Sequence, residues 1–234
     1  MSSEKRISTV FFDFGDTLVE GRPTYLRRVT DLLAEFGFER EYSDVVHAFT
    51  TADYLVYVDI SSGRLDGEDR FLLRFLDHFA QCLDIDIDWP MTLPEITKKF
   101  EQEVYERVLS EGAVETLEAL KEKGCRLGII SNNDGSCRQK CEQIGIAKYF
   151  EIIIDSTVEG VGKPSPKIFE LALKRMRISA QEAAHVGDMY GADIMGARDV
   201  GLEPVWYNRR RLEPLADYRP DHEVERLLQI PEIL

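Results

Sequence analysis

The chain lacks any apolar run near the ~18 residues that a membrane-spanning helix requires, so no bilayer-crossing helix is expected. Its first residues, MSSEKRISTVFFDFGDTLVE, also lack a signal-peptide layout, because the apolar stretch is short and carries acids. A cytoplasmic location is therefore the expectation. Cysteine is scarce. Cys82, Cys125, Cys137 and Cys141 are the only four in 234 residues, too few for a disulfide framework in a chain of this length. Cys137 and Cys141 share a helix face by spacing, but no His or second Cys pair completes a metal set, and they read as reduced thiols. Positive charge is also short: 29 Lys and Arg stand against 43 Asp and Glu, a formal net charge of −14. Such a surface repels DNA and anionic membranes, which argues against nucleic-acid and membrane partners. A phosphate could still bind through a local cation or a metal. Repeats and low-complexity segments are absent.

What is present is an ordinary globular composition, 44% hydrophobic and 31% charged. The length corresponds to roughly one and a half domains at about 150 residues each. Residues 8–13 read as a buried strand and FGDTLVEGRP as a loop or hairpin. Helical spacing follows at Tyr25, Leu26, Val29, Leu32, Leu33 and Phe36, again at Leu72, Phe75, Leu76, Phe79 and Leu83, and again at Phe100, Val104, Tyr105 and Val108. From residue 112 strands and helices alternate: helix 114–123, the strand in CRLGIISNN, helix 138–144, strand 151–155, helix 166–176, strand 183–188, helix 192–199 and strand 203–207. Alternation of this kind implies right-handed βαβ units and a parallel sheet. The expected fold is α/β, a Rossmann-like parallel-sheet core of residues 1–19 and 110–234 with an all-helical cap, 20–109, inserted into it. Residues 208–234 are charged and Pro-punctuated and are expected to wrap the core surface.

Ligands of open parallel sheets sit beyond the carboxyl ends of the strands. Those ends carry Asp13, Ser131, the loop after Asp155, and Asp188, and Lys163 joins them. Carboxylates that repel one another can coexist around Mg²⁺, a hard ion that prefers oxygen ligands. A lysine and a hydroxyl beside them suit the oxygens of a phosphoryl group.

These segments resemble the four motifs of the haloacid dehalogenase-like hydrolase superfamily: FFDFGDTL (11–18), IISNN (129–133), GKPSPKIF (162–169) and VGDMYGAD (186–193). The long interval between the first two matches a helical cap inserted after the first strand. The resemblance implies that Asp13 is the nucleophile that forms an aspartyl-phosphate and also a Mg²⁺ ligand. It implies that the main-chain carbonyl of Gly15 and the carboxylate of Asp188 are further ligands, with Asp193 reaching the metal or its waters. Ser131 and the N–H of Asn132 would hold phosphoryl oxygens, Lys163 would offset the charge of the phosphoryl group and Asp13, and Thr17 would orient the first loop. The expected activity is Mg²⁺-dependent hydrolysis of a small phosphorylated metabolite, with sugar phosphates as the leading class and cap closure selecting the substrate. The oligomeric state is not legible.

One position departs from the pattern. Phosphatases of the family commonly carry a second Asp two residues after the nucleophile as general acid/base, and here that position is Gly15. A missing general acid typically costs 10²–10⁴-fold, or about 3–5 kcal/mol of barrier. Four readings stay open: slow turnover; a proton from a cap residue, a water or the substrate; substrates with good leaving groups; or phosphate binding without turnover, as in a regulatory protein. A metal-independent dehalogenase also lacks this Asp, but Asp188 after Gly187 argues for the metal. A Schiff-base lysine in the cap has only Lys98 and Lys99 to draw on. Asp16 reads as a loop-stabilising residue and His185 as a packed core histidine. His47, His78 and His222 read as surface residues. Arg27, Arg28, Tyr54, Tyr57, Arg64 and Arg70 read as solvated faces of the cap.

Overall fold

The computed structural model describes residues 7–65 and 71–234. Its centre is β1 (Thr9–Phe12), four residues without solvent exposure. On one side β1 pairs with β4 (Arg126–Ser131), which pairs with β5 (Ile152–Asp155); on the other it pairs with β6 (Ala183–Gly187), β7 (Glu203–Tyr207) and β8 (His222–Val224) in turn. Every pairing is parallel. A parallel sheet needs both faces covered, and the alternation of β1 supplies both. Val10 and Phe12 join one core with Leu127, Ile129, Ala184, Val186 and Val205, and α5 (Ala113–Glu122) and α6 (Cys137–Gln143) contribute Leu117, Leu120 and Cys141 to it. Phe11 faces the other core with Ile130, Ile154 and Ala183, where α8 (Pro166–Met176) contributes Ile168, Phe169 and Ala172. The strand order reverses direction at β1 and β6, so the crevice beyond their carboxyl ends is the switch point at which such sheets bind ligands.

The chain divides into two compact units, Met1–Val19 with Leu109–Leu234, and Glu20–Val108. The second holds α1 (Tyr25–Glu35), α2 (Tyr42–Ser61), α3 (Phe71–Leu83) and α4 (Trp89–Gln102). Leu33, Val45, Ala48, Ala52, Phe79 and Leu83 form its core. Phe49 meets Phe75 edge-on at 4.8 Å. The structure differs from the sequence expectation at four places. The helix expected through Phe100–Val108 ends at Gln102; Glu103 turns extended, its carboxylate takes Arg28 Nε at 2.6 Å, and β3 (Glu106–Leu109) follows. β3 pairs with β2 (Val19–Arg22), so the insertion is not all-helical. The twenty-residue α2 carries no clean apolar stripe, because Thr50, Asp53 and Asp59 are buried on it beside Val45 and Val56. Finally, the C-terminal segment does more than wrap the surface: β8 extends the sheet, and Leu227 and Ile230 are fully buried in the first core.

Three side chains read as solvated are buried in the second unit: Arg28, His78 and Tyr57, the last 7% exposed on α2 with its ring stacked on Tyr54 at 6.0 Å. Arg28 is 6% exposed and lies over the rings of Phe100 and Tyr105 at 4.1 and 3.8 Å. His78 sets Nε2 2.8 Å from the buried Asp59, which also takes Arg74 Nε at 2.6 Å and Arg64 Nε at 2.9 Å. Buried charge has to be paired, and these pairs were hidden because the partners sit on different helical turns or helices. Arg70 lies outside the described residues.

Candidate active site

The core unit assembles its polar groups at the carboxyl ends of β1, β4 and β6. Asp13 follows β1 directly, and its N–H continues the ladder to Val186 O at 2.8 Å. Ser131 is the last residue of β4 and is 1% exposed. Asp188 follows β6 and is 4% exposed. Lys163 arrives on the connection from β5 to α8. It is 2% exposed, and its Nζ stands 2.6 Å from Asp13 Oδ1 and 2.6 Å from Asp193 Oδ1.

Each of these positions has a local cause. The main chain of Lys163 is fixed by the Asn132 side chain, whose Nδ2 donates to Lys163 O while Oδ1 accepts from Lys163 N, both at 2.8 Å. Gly162 leaves room for that carboxamide; a Cβ there would stand 2.8 Å from Asn132 Oδ1. Asp193 lies on a π-helical turn, Tyr190–Met195, a deformation often found at functional sites. Its Oδ2 accepts from Met189 N at 3.0 Å, and its Oδ1 faces His185 Nε2 at 2.9 Å as well as the lysine. Both Asp193 oxygens are thus engaged by protein donors. Gly187 has no side chain because none fits: a Cβ would lie 2.1 Å from Asp193 Cγ. Asp155, at the end of β5, points its carboxylate at the main-chain N–H groups of Gly135, Cys137 and Thr157, at 3.0, 3.0 and 3.1 Å. It therefore shapes the loop after Ser131 rather than meeting a ligand.

One ammonium serves two buried carboxylates, and the charges do not cancel. Burial works against the Lys163 charge, but Asp13 and Asp193 together hold the ammonium above its ordinary range. Burial likewise works against Asp193, yet Lys163 and His185 outweigh it and keep that carboxyl below its usual range. Asp13 is less well served. Burial, joined by the charges of Asp193 and Asp188, outweighs Lys163 and pushes its carboxyl up to about 7. Asp188 is raised in the same direction by burial and by neighbouring Asp16 and Asp193, against the pull of Arg210. Burial lowers the His185 imidazole, which favours the neutral ring. Asp13 and Asp188 thus stand among an excess of carboxylates that Lys163 and Arg210 only partly offset.

That excess, together with an all-oxygen donor set, fits a hard divalent cation. Among the described residues no three His, Cys, Asp or Glu side chains gather closely enough to hold a metal by themselves. Two carboxylates and a main-chain carbonyl would leave the remaining positions to water, as Mg²⁺ prefers.

The sequence reading missed two participants. Arg210 places Nη1 2.5 Å from Asp188 Oδ2 and Nη2 2.6 Å from Asp16 Oδ2, and Arg209 reaches Asp16 Oδ1 at 3.2 Å. Asp16 thus sits in left-handed backbone, φ 57°, with both oxygens engaged by guanidinium groups, and it ties the first loop to the segment after β7. The second is the pair of Asn132 side-chain bonds, where only the main-chain N–H was expected to matter. Thr17, without solvent exposure, places Oγ1 3.4 Å from Asp188 Oδ1.

A model of the haloacid dehalogenase-like hydrolase family matches residues 7–201. The chain belongs to this family. The hydrolase is 33% identical to the glyceraldehyde 3-phosphate phosphatase of Pyrococcus abyssi over 205 residues, covering 86% of this chain and 81% of the relative. It is 38% identical to the ribulose-1,5-bisphosphate 5-phosphatase of Halopiger xanaduensis over 212 residues, covering 86% and 84%. Among solved structures, the magnesium-bound HAD-hydrolase YfnB of Bacillus subtilis shares the fold, with a TM-score of 0.68 at 20% identity and coverage of 98% and 99%. The hydrolase is of the phosphatase type. None of its helices, among the described residues, is long and apolar enough to cross a membrane.

Proposed function

We propose that this hydrolase releases phosphate from small phosphomonoesters, sugar phosphates above all, through an aspartyl-phosphate. The observation that carries the reading is the buried Lys163 ammonium, 2.6 Å from Asp13, at the switch point of the sheet. A nucleophile and a cation so placed suit a transferring group that brings negative charge. The names of the two relatives, both phosphatases of phosphorylated sugars, support the substrate class.

In the first step a carboxylate oxygen of Asp13 attacks phosphorus, and the bond from phosphorus to the ester oxygen breaks. In the second, water attacks the same phosphorus and the acyl phosphate bond breaks, freeing inorganic phosphate and restoring Asp13. Ser131 and the N–H of Asn132 donate to phosphoryl oxygens in both steps, and Lys163 offsets their charge. Asp193 is assigned to holding Lys163 rather than to the metal. Asp13, the carbonyl of Gly15 and Asp188 are assigned to Mg²⁺, which when bound supplies Lewis-acid charge compensation at the phosphoryl oxygens. The leaving alkoxide takes its proton from outside residue 15, which is glycine, so aryl and acyl phosphates are hydrolysed fastest relative to alkyl ones.

The test is phosphate release from a panel that pairs p-nitrophenyl phosphate with triose and pentose phosphates, in Mg²⁺, in EDTA, and with Asp13→Asn. Release that needs both Mg²⁺ and Asp13 supports the reading. A protein that binds inorganic phosphate and Mg²⁺ but releases nothing from any substrate is a binding protein instead, and the hydrolase reading fails.

A further inference from the structure

His185 lies on β6 without solvent exposure, in ladder register with Phe11 and Pro204. Its ring meets Phe169 edge-on, with centroids 5.3 Å apart. The neighbouring core of Phe11, Ile130, Ile154, Phe169 and Ala183 is apolar. Packing alone favours an apolar side chain at such a place, because an imidazole brings two nitrogens that must leave water. Only one of them is satisfied. Nε2 stands 2.9 Å from Asp193 Oδ1, whereas Nδ1 is buried with no hydrogen-bond partner among the described residues. What the imidazole adds over a phenylalanine is therefore one N–H aimed at one carboxylate oxygen. An ionised carboxylate only accepts, so Nε2 is the donor whether or not the ring is charged.

That same oxygen binds Lys163 Nζ at 2.6 Å, and Lys163 Nζ binds Asp13 Oδ1 at 2.6 Å. We propose that His185 is a positioning residue for phosphoryl transfer: its N–H moderates the hold of Asp193 on Lys163 and keeps the ammonium centred between Asp193 and Asp13. A carboxylate oxygen shared between two donors attracts each less strongly than it would attract one alone. Without the imidazole N–H, Asp193 draws the ammonium toward itself, away from Asp13 and the phosphoryl oxygens. The carboxylate cannot turn to compensate, because Oδ2 is held by Met189 N and its flank is packed against Gly187. The inference rests on the reading of Asp13 and Lys163 as the groups that handle the phosphoryl group.

The experiment compares wild type with His185→Phe and His185→Gln. The glutamine amide reaches the place of Nε2 and restores a donor without the ring. Three quantities are measured: kcat and KM for p-nitrophenyl phosphate, calorimetric affinity for inorganic phosphate in Mg²⁺, and Tm. The expected result for His185→Phe is an unchanged or higher Tm with kcat about 10–100-fold lower, the range seen when outer partners of ligating groups are removed. Phosphate affinity falls with it, and His185→Gln recovers most of both. Wild-type kcat and phosphate affinity in His185→Phe would overturn the proposal. So would losses in both variants that follow a lowered Tm, with glutamine no better than phenylalanine. Should His185→Phe fail to fold, His185→Leu takes its place in the same comparison. If even the wild type releases no phosphate, the hydrolase reading falls, and the phosphate affinities of the three proteins still decide the part played by His185.

Discussion

Asn132 and Lys163 grip each other like paired strands: the carboxamide donates to the lysine carbonyl and accepts from the lysine N–H, both at 2.8 Å. The side chain of one loop thereby fixes the main chain from which the buried Lys163 ammonium hangs. Asn132→Ala removes both bonds at once. Two main-chain groups lose their partners, which costs about 1–2 kcal/mol at a partly exposed site, and Lys163 is no longer held at its place. We expect kcat to fall about 10–100-fold, more than KM changes, with a modest fall in Tm. Asn132→Asp keeps the acceptor and loses the donor, and falls between the two. Steady-state kinetics of the alanine variant matching wild type would refute the role.

Gly15 is exposed, and a Cβ built on it meets no atom within 4 Å. The position of the missing acid is therefore sterically open, and Gly15→Asp should fold without strain. If the absent acid limits the rate, the substitution raises turnover of an alkyl phosphate by at least about tenfold, and by up to the 10²–10⁴-fold that general-acid catalysis supplies. An aryl phosphate, whose leaving group needs no proton, gains far less. Equal or falling rates for both substrates would remove the missing acid from the account.

The buried Asp13 carboxyl gives stability a direction in pH. Its ordinary value is 3.8 and burial lifts it to about 7 in the folded chain. Below about 4 both states hold the proton. Between about 4 and about 7 the unfolded chain releases it while the folded chain retains it, so rising pH favours unfolding across that window. In EDTA the Tm of wild type should thus fall from pH 5 to pH 7.5 relative to that of Asp13→Asn. Added Mg²⁺, which favours the ionised carboxylate, should shrink the difference. A wild-type-to-variant gap that stays constant between the two pH values in EDTA would contradict the assignment.

What the sequence made legible is what lies at the end of an apolar run. Asp13 and Asp188 each follow a buried strand and Ser131 ends one, and the alternation of strands and helices already points these strand ends to one edge of the sheet. Less was legible where two distant segments meet. Arg210 reaches back 194 residues to Asp16, and the bond from His185 to Asp193 depends on a π-helical turn that no periodicity announces. Helix α2 escaped because its buried face mixes valine with threonine and aspartate, and β8 because three residues are too few to show a period. Asp155 ends an apolar strand just as Asp13 follows one, but the sequence singled out only the loop after it. Only the three main-chain N–H groups on its carboxylate reveal it as a loop anchor.

Gly187 is the position where the packing leaves least freedom. A Cβ would stand 2.1 Å from Asp193 Cγ and 2.5 Å from Asp193 Cβ, well inside contact distance. Asp193 cannot step aside cheaply, because Lys163, His185 and Met189 N hold its two oxygens. In Gly187→Ala either the π-helical turn shifts or the carboxylate abandons the lysine. Overpacking of this kind typically costs about 1–3 kcal/mol. The larger effect falls on chemistry, since Lys163 loses one of the two carboxylates that place it. We expect kcat to drop by more than about 100-fold while the chain stays folded, with inorganic phosphate binding weakened in parallel. The variant should resemble Asp193→Ala in kinetics, and combining the two should cost little more than either alone, because both act through the same displaced ammonium. Fully additive losses in the double variant would mean that Gly187 and Asp193 serve separate ends.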